Sequence, residues 1–237
     1  IFQDTLFKSS NLIIGPLYSK NIKMMRVFSK NSHIPMISPY NIPSQALFNY
    51  PDLFKIQPSR STQSKEMAIY IKNSKDDYKI LLLSDVEDNK SKVYGNIFSD
   101  AFNDTIYLIK DSLKEVDSIL PTLLKRGDDW SHLLDKLSKK KSNLIIITSN
   151  QVPFLTYAFN KIIEFSNSQE HYKSDFEIFG FEDIYRIKTI DVIYKNKFNL
   201  HFVSKGIPDL NSNRIAEFKD KYRDFLSAEP TKYSYLG

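Results

Sequence analysis

The chain has 237 residues, of which 41% are hydrophobic, 14% aromatic and 26% charged, with ten prolines and six glycines; this globular composition excludes a disordered or low-complexity chain. Lys and Arg outnumber Asp and Glu by 33 to 28, giving a net charge of +5 and a pI near 9.0, but the basic residues are interspersed with acids and do not interleave with aromatics, which argues against a nucleic-acid surface. The absence of cysteine excludes disulfides, thiolate metal sites and a cysteine nucleophile, and no apolar run approaches the roughly 18 residues of a membrane-spanning helix.

The first residues, Ile1-Phe2-Gln3-Asp4, read as the middle of a helix, so the chain is expected to be an excised or processed fragment. A strand at 12–14 and a helix at 21–29 follow, then strands at 34–37 and 53–56, a helix at 61–72 and a strand at 79–83. Helix 93–102, strand 105–109, helix 130–138, strand 143–147 and helix 152–165 continue the alternation. Strands at 177–179 and 201–204 and a helix at 213–225 complete it. The only dense basic run, Lys139-Lys140-Lys141, falls at the end of the helix predicted over 130–138, where cations complement the dipole. Short apolar strands alternating with amphipathic helices predict an α/β fold with mostly parallel sheets covered on both faces. In the last helix Ile215, Phe218, Tyr222 and Phe225 share one face, which is expected to pack against a sheet.

Turn formers follow the strands at Gly15-Pro16, Ser38-Pro39, Ser84-Asp85, Ser149-Asn150 and Gly180 before Glu182-Asp183. Ligands of open α/β sheets sit beyond the carboxyl ends of the strands, so these five turns are where function is expected. The expected division is 1–72 as a partial first lobe, 73–210 as the second lobe and 211–237 as a segment returning toward the first. The boundary falls between Gln57 and Lys79.

Catalytic motifs are not assembled. Glycines at 15, 95, 127, 180, 206 and 237 form neither a dinucleotide fingerprint nor a phosphate loop. His33, His132, His171 and His201 stand singly, without helical zinc spacing, and there is no Gly-x-Ser-x-Gly elbow. Asp85, Glu87 and Asp88 are a candidate for cation or acid–base work, but they run into the polar stretch Asn89-Lys90-Ser91-Lys92 and read as a solvated loop. Glu182-Asp183 is the stronger acidic candidate because it follows a strand end directly. Tyr18 and Tyr40 lie beside strand-terminal turns, where they either line a cleft or pack at lobe edges. No cofactor, metal or enzymatic activity is expected.

Several phrases together resemble the type I periplasmic-binding proteins, including branched-chain amino acid receptors. They are Asn11-Leu-Ile-Ile-Gly-Pro-Leu-Tyr-Ser19, Ile34-Pro-Met-Ile-Ser-Pro39 and Phe54-Lys-Ile-Gln-Pro-Ser59 for the first lobe. For the second they are Ile80-Leu-Leu-Leu-Ser-Asp85, Tyr94-Gly95, Leu144-Ile-Ile-Ile-Thr-Ser149 and Phe179-Gly-Phe-Glu182. The segment from Phe218 to Gly237 is similar to the family's return toward the first lobe. The resemblance implies a two-lobed fold, truncated at both ends, that binds a small polar ligand or an envelope protein partner without bond-making chemistry. Its Lys- and Asn-rich style is most similar to LysM-associated envelope proteins of Bacteroidetes and to penicillin-binding-protein activators. A periplasmic or cell-envelope location and a link to peptidoglycan are implied; the alternative is an ABC-type transport receptor for amino acids or similar polar solutes, and an enzyme of flavodoxin-like architecture ranks last.

In amino-acid-binding members a serine after the Gly-containing turn and a threonine after the Ser-Pro turn hold the ligand carboxylate, and an acidic residue of the second lobe meets the ammonium. Here Ser19 and Glu182 match, while Ile42 stands at the threonine position, which puts a free amino-acid ligand in doubt. The expected ligand-binding residues are Tyr18, Ser19, Tyr40, Asn41, Tyr94, Asn150, Gln151 and Glu182.

Overall fold

The computed structural model describes residues 8–16, 19–39, 42, 44–103, 119–168, 175–205, 212–230 and 234. The strand expected at 105–109 lies outside these residues, as do Tyr18, Tyr40 and Asn41. The chain divides into two compact units, one made of 1–58 with 204–237 and the other of 59–203.

The first unit holds β1 (Ile13–Ile14), α1 (Ile22–Ser32), β2 (Met36–Ser38) and β3 (Leu53–Lys55), with the strands parallel in the order β1-β2-β3. Side chains alternate across a strand, so Ile13, Met36 and Leu53 share one face and pack with Ile22, Met25, Ile34 and Ile42. The opposite row, Ile14, Ile37 and Phe54, is aligned by register but Ile14 is 71% exposed.

The second unit contains α2 (Arg60–Ser74), β4 (Tyr78–Asp85), α3 (Asn89–Asn103), β5 (Thr122–Leu124), β6 (Ser142–Ile147) and α4 (Val152–Ser166). It ends with β7 (Phe176–Phe181), the short helices α5 (Glu182–Arg186) and α6 (Val192–Lys197), and β8 (His201–Val203). The sheet order is β5-β4-β6-β7-β8 and each pairing is parallel. Its central strands are apolar without interruption because both faces are covered. Leu81, Leu83, Ile145, Ile147 and Ile178 face Trp130, Leu133, Phe154, Phe159 and Ile162. Leu82, Leu144, Ile146 and Phe179 face Met67, Ile71, Phe98 and Phe102 on the other side.

Local signals fix the helix starts. Ser59 caps α2, its hydroxyl accepting from the Thr62 N–H at 3.0 Å, and α4 has a proline in its first turn, where no donor is lost.

The stretch predicted as a helix over 130–138 is a 3-10 turn, Ser131–Lys136. The buried Trp130 and Leu133 are three residues apart, and the Leu133 N–H donates to the Trp130 carbonyl at 2.9 Å, which suits the tighter spiral. Lys139, Lys140 and Lys141 consequently sit in a surface turn, where Ser138 Oγ accepts from the N–H groups of Lys140 and Lys141 at 3.1 and 2.8 Å.

The chain returns to the first unit with α7 (Asn213–Leu226). Among the described residues this helix has no buried side chain: Ile215, Phe218 and Tyr222 are half-buried and Phe225 is 87% exposed, so the apolar face read from the sequence is only partly covered.

Candidate functional site

In the second unit the chain leaves β4 for β5 on one side and then crosses to β6 on the other. This reversal makes a topological switch point between β4 and β6, and open α/β sheets bind ligands beyond the carboxyl ends of the strands at such a point. Hydroxyls fasten it from below. Ser84 Oγ lies 2.8 Å from Thr148 Oγ1, and Thr148 Oγ1 donates to the Leu83 and Ser91 carbonyls at 3.2 and 3.0 Å. Ser91 Oγ accepts from the Asp85 N–H at 2.9 Å. Gly95 lets α3 approach this closely, because a Cβ there would stand 2.2 Å from Ser84 Oγ.

Asp85 ends β4. The sequence reading of a solvated acidic loop is overturned for this residue, which is only 5% exposed. Its Oδ1 accepts from the Glu87 N–H at 2.9 Å. Burial pushes its carboxyl above the usual range; the Asp88 and Glu87 charges add to this, while the Glu87 N–H and the Ser149 hydroxyl oppose it. Glu87 is exposed and pairs with Lys125 at 3.3 Å.

A second group gathers around the end of β7. The Arg60 guanidinium lies over the Phe181 ring, 4.6 Å from its centroid, pairs with Asp183, and donates to Gln63 Oε1 at 3.2 Å. Tyr94 meets the same ring edge-on, with centroids 5.6 Å apart. Burial raises the Tyr94 hydroxyl pKa; Arg60 works against that rise and Asp88 adds to it. Glu182 is 6% exposed and pairs with Arg186 one turn along α5.

Of the expected binding residues, Tyr94 and Glu182 belong to this second group. Asn150 and Gln151 follow β6 at the same edge and are exposed. Asn150 Oδ1 accepts from Gln151 Nε2 at 3.3 Å, and Ser149 Oγ accepts from the Gln151 N–H at 3.1 Å. Ser19 opens a 3-10 turn, Ser19–Asn21, in the first unit. Ile42, at the threonine position implied by the resemblance, is 3% exposed and belongs to the apolar cluster of that unit.

Sequence reasoning missed Arg60 and Phe181. The signal for Arg60 was present: a cation in the first turn of a helix opposes the macrodipole and is out of place unless an anion engages it. Asp183, 123 residues away, is that anion.

No family model and no curated protein matches the chain. Among solved structures it is similar to an ABC transporter substrate-binding protein from Desulfitobacterium hafniense in complex with Leu, with 15% identity and a TM-score of 0.55 over 97% of this chain and 61% of that one. A putative branched-chain amino acid ABC transporter from Rhodospirillum rubrum gives 10% identity and a TM-score of 0.58, covering 98% and 62%. LpoA from Haemophilus influenzae gives 12% and 0.55, covering 99% and 39%. The chain thus spans about three fifths of the length of the first two and two fifths of LpoA. The shared architecture is the type I periplasmic-binding fold.

Proposed function

We propose that this chain is a non-enzymatic ligand-binding or regulatory receptor domain of the bacterial cell envelope, linked to peptidoglycan processes. The observation that carries the reading is the closed charge at the end of β7, where Glu182 is neutralised by Arg186 and Asp183 by Arg60. A free amino acid brings an ammonium that needs an unpaired carboxylate, and both carboxylates here are already engaged. What this edge offers instead is a charge-balanced surface of Arg60, Asp183 and Tyr94 over the buried Phe181 ring, with the exposed amides of Asn150 and Gln151 beside it in the sheet. Such a surface suits a ligand without an exposed ammonium group, such as the glycan part of a wall fragment, or a protein partner. The buried Ile42 supports the same choice, because the donor that the resemblance assigns to a ligand carboxylate is replaced by a core residue. Likeness of fold to LpoA and the sequence resemblance to penicillin-binding-protein activators point the same way. An association with LysM modules and a Bacteroidetes-type envelope are part of this proposal.

The second reading is a substrate-binding receptor of an ABC-type transporter for amino acids or similar solutes. It is favoured by the fold shared with a Leu-bound substrate-binding protein and by the placement of Glu182 at a strand end. A thermal-shift screen separates the two. A ligand at a hundred times its Kd adds about 2.7 kcal/mol. Stabilisation by soluble peptidoglycan fragments supports the first reading and stabilisation by free amino acids the second; no shift with either class overturns both as small-ligand receptors.

A further inference from the structure

A cavity of about 530 Å³ opens at the amino-terminal edge of the second unit's sheet, the edge opposite Asp85 and Glu182. Its walls come from the start of β7, the end of α4 and the end of α6, and its base is formed by the buried Phe176 and Phe198, whose ring centroids are 6.4 Å apart. The volume falls within the few hundred to about 1,000 Å³ of small-molecule sites.

The polar groups on the wall are held in place by contacts of their own. Glu177 receives Lys75 Nζ at 2.6 Å, His201 Nε2 at 3.0 Å and Asn199 Nδ2 at 3.3 Å, and all three converge on Oε2. That arrangement fixes the carboxylate and leaves Oε1 outside those three contacts. Lys197 Nζ lies 3.2 Å from both Ser166 Oγ and Asn167 Oδ1, so the ammonium is tethered at the end of α4. Asp175 adds a second carboxylate to the lining. The wall therefore interleaves acceptors, from the exposed Asp175 and the tethered Glu177 and Asn167, with donors from Lys197 and Asn199. An ionic ligand of either sign meets a like charge within this ring. A hydroxyl both donates and accepts, so a molecule with several of them satisfies the wall without a net charge.

We propose that this cavity is a saccharide site, taking a neutral, hydroxyl-rich molecule whose hydroxyls donate to Asp175 and Glu177 and accept from Lys197 and Asn199. It is separate from the carboxyl edge and does not depend on the reading of that edge. The test is saturation-transfer difference NMR with N-acetylglucosamine and glucose at millimolar concentration, with putrescine and inorganic phosphate as cationic and anionic competitors. The wild-type chain should give transfer to at least one of the two sugars. The double variant Asp175→Asn/Lys197→Gln should weaken it about ten-fold or more, as expected from losing charge-assisted hydrogen bonds. Ser142→Tyr, which adds a ring to the cavity lining, should abolish it, while Lys65→Ala on the exposed side of α2 should leave it unchanged. If the double variant does not fold, Ser142→Tyr and the wild type decide alone. The proposal is overturned by absence of transfer to both sugars, by transfer that survives the folded cavity variants, or by displacement of the sugar by putrescine or phosphate.

Discussion

Replacing Arg60 with alanine tests whether the group around Phe181 is a working assembly. The substitution removes a guanidinium stacked 4.6 Å over the Phe181 ring and strips Asp183 of its cation. A partly desolvated cation–π contact contributes about 0.5–2 kcal/mol. The Arg60 side chain is 15% exposed but that of Asp183 is 39% exposed, so the ion pair is discounted for solvent to about 0.2–1 kcal/mol. Together these predict a loss of roughly 1–3 kcal/mol, or about 3–9 °C in Tm for a domain of this size. Arg60→Lys keeps the charge but loses the planar stack and should fall between the two. A double-mutant cycle of Arg60→Ala with Asp183→Asn, read by urea denaturation, should return a coupling within the ion-pair range, while a cycle with Phe181→Leu isolates the stacking part. A loss below about 0.5 kcal/mol for Arg60→Ala, or no coupling in either cycle, would refute the reasoning.

Three further outcomes follow from the second unit. Gly95→Ala should destabilise by about 1–3 kcal/mol despite alanine's better helix propensity, because its Cβ collides with Ser84 Oγ, and adding Ser84→Ala should recover part of the loss in a thermal melt. Phe98→Ala removes a fully buried ring stacked on Phe102 and should cost about 3–5 kcal/mol by the same measurement. Acid stability divides by sign: burial would raise the Glu177 carboxyl, but Lys75 and His201 outweigh it and hold it below its usual 4.5, so its contribution is present above that pH and is lost as pH falls through the lower folded value. Glu177→Gln should therefore flatten the acid limb of a stability–pH curve. Asp85, raised above 3.8 by burial, contributes with the opposite sign, so Asp85→Asn should steepen that limb.

The second unit's central sheet was legible because β4 and β6 are covered on both faces, and Ile80 to Leu83 and Leu144 to Ile147 can hardly be anything but interior strands. β5 escaped because it is three residues long at the sheet edge, where pairing with Leu83–Asp85 rather than composition defines it. The face of Ile215, Phe218, Tyr222 and Phe225 shows the limit of periodicity: it reports which side chains align, not what they meet. At the carboxyl edge, Glu182 was found from its place after a strand, while its pairing with Arg186 four residues on went unread and emerges only with the short helix α5. Asp85 was misjudged because a polar sequence neighbourhood says nothing about the helix α3 that covers it. Arg60 and Asp183 are far apart in sequence, so only the folded sheet brings them together.

The account's central claim is that ligand or partner recognition occurs at the carboxyl edge of the second unit. The most direct measurement is amide and aromatic chemical-shift mapping by NMR as soluble peptidoglycan fragments are added. The account predicts perturbations on Asp85, Tyr94, Asn150, Gln151, Phe181 and Glu182 that persist when the amino-terminal cavity is blocked by Ser142→Tyr and are lost in Tyr94→Ala. Perturbations produced by free leucine, persisting in Tyr94→Ala or confined to residues away from this edge, would contradict it.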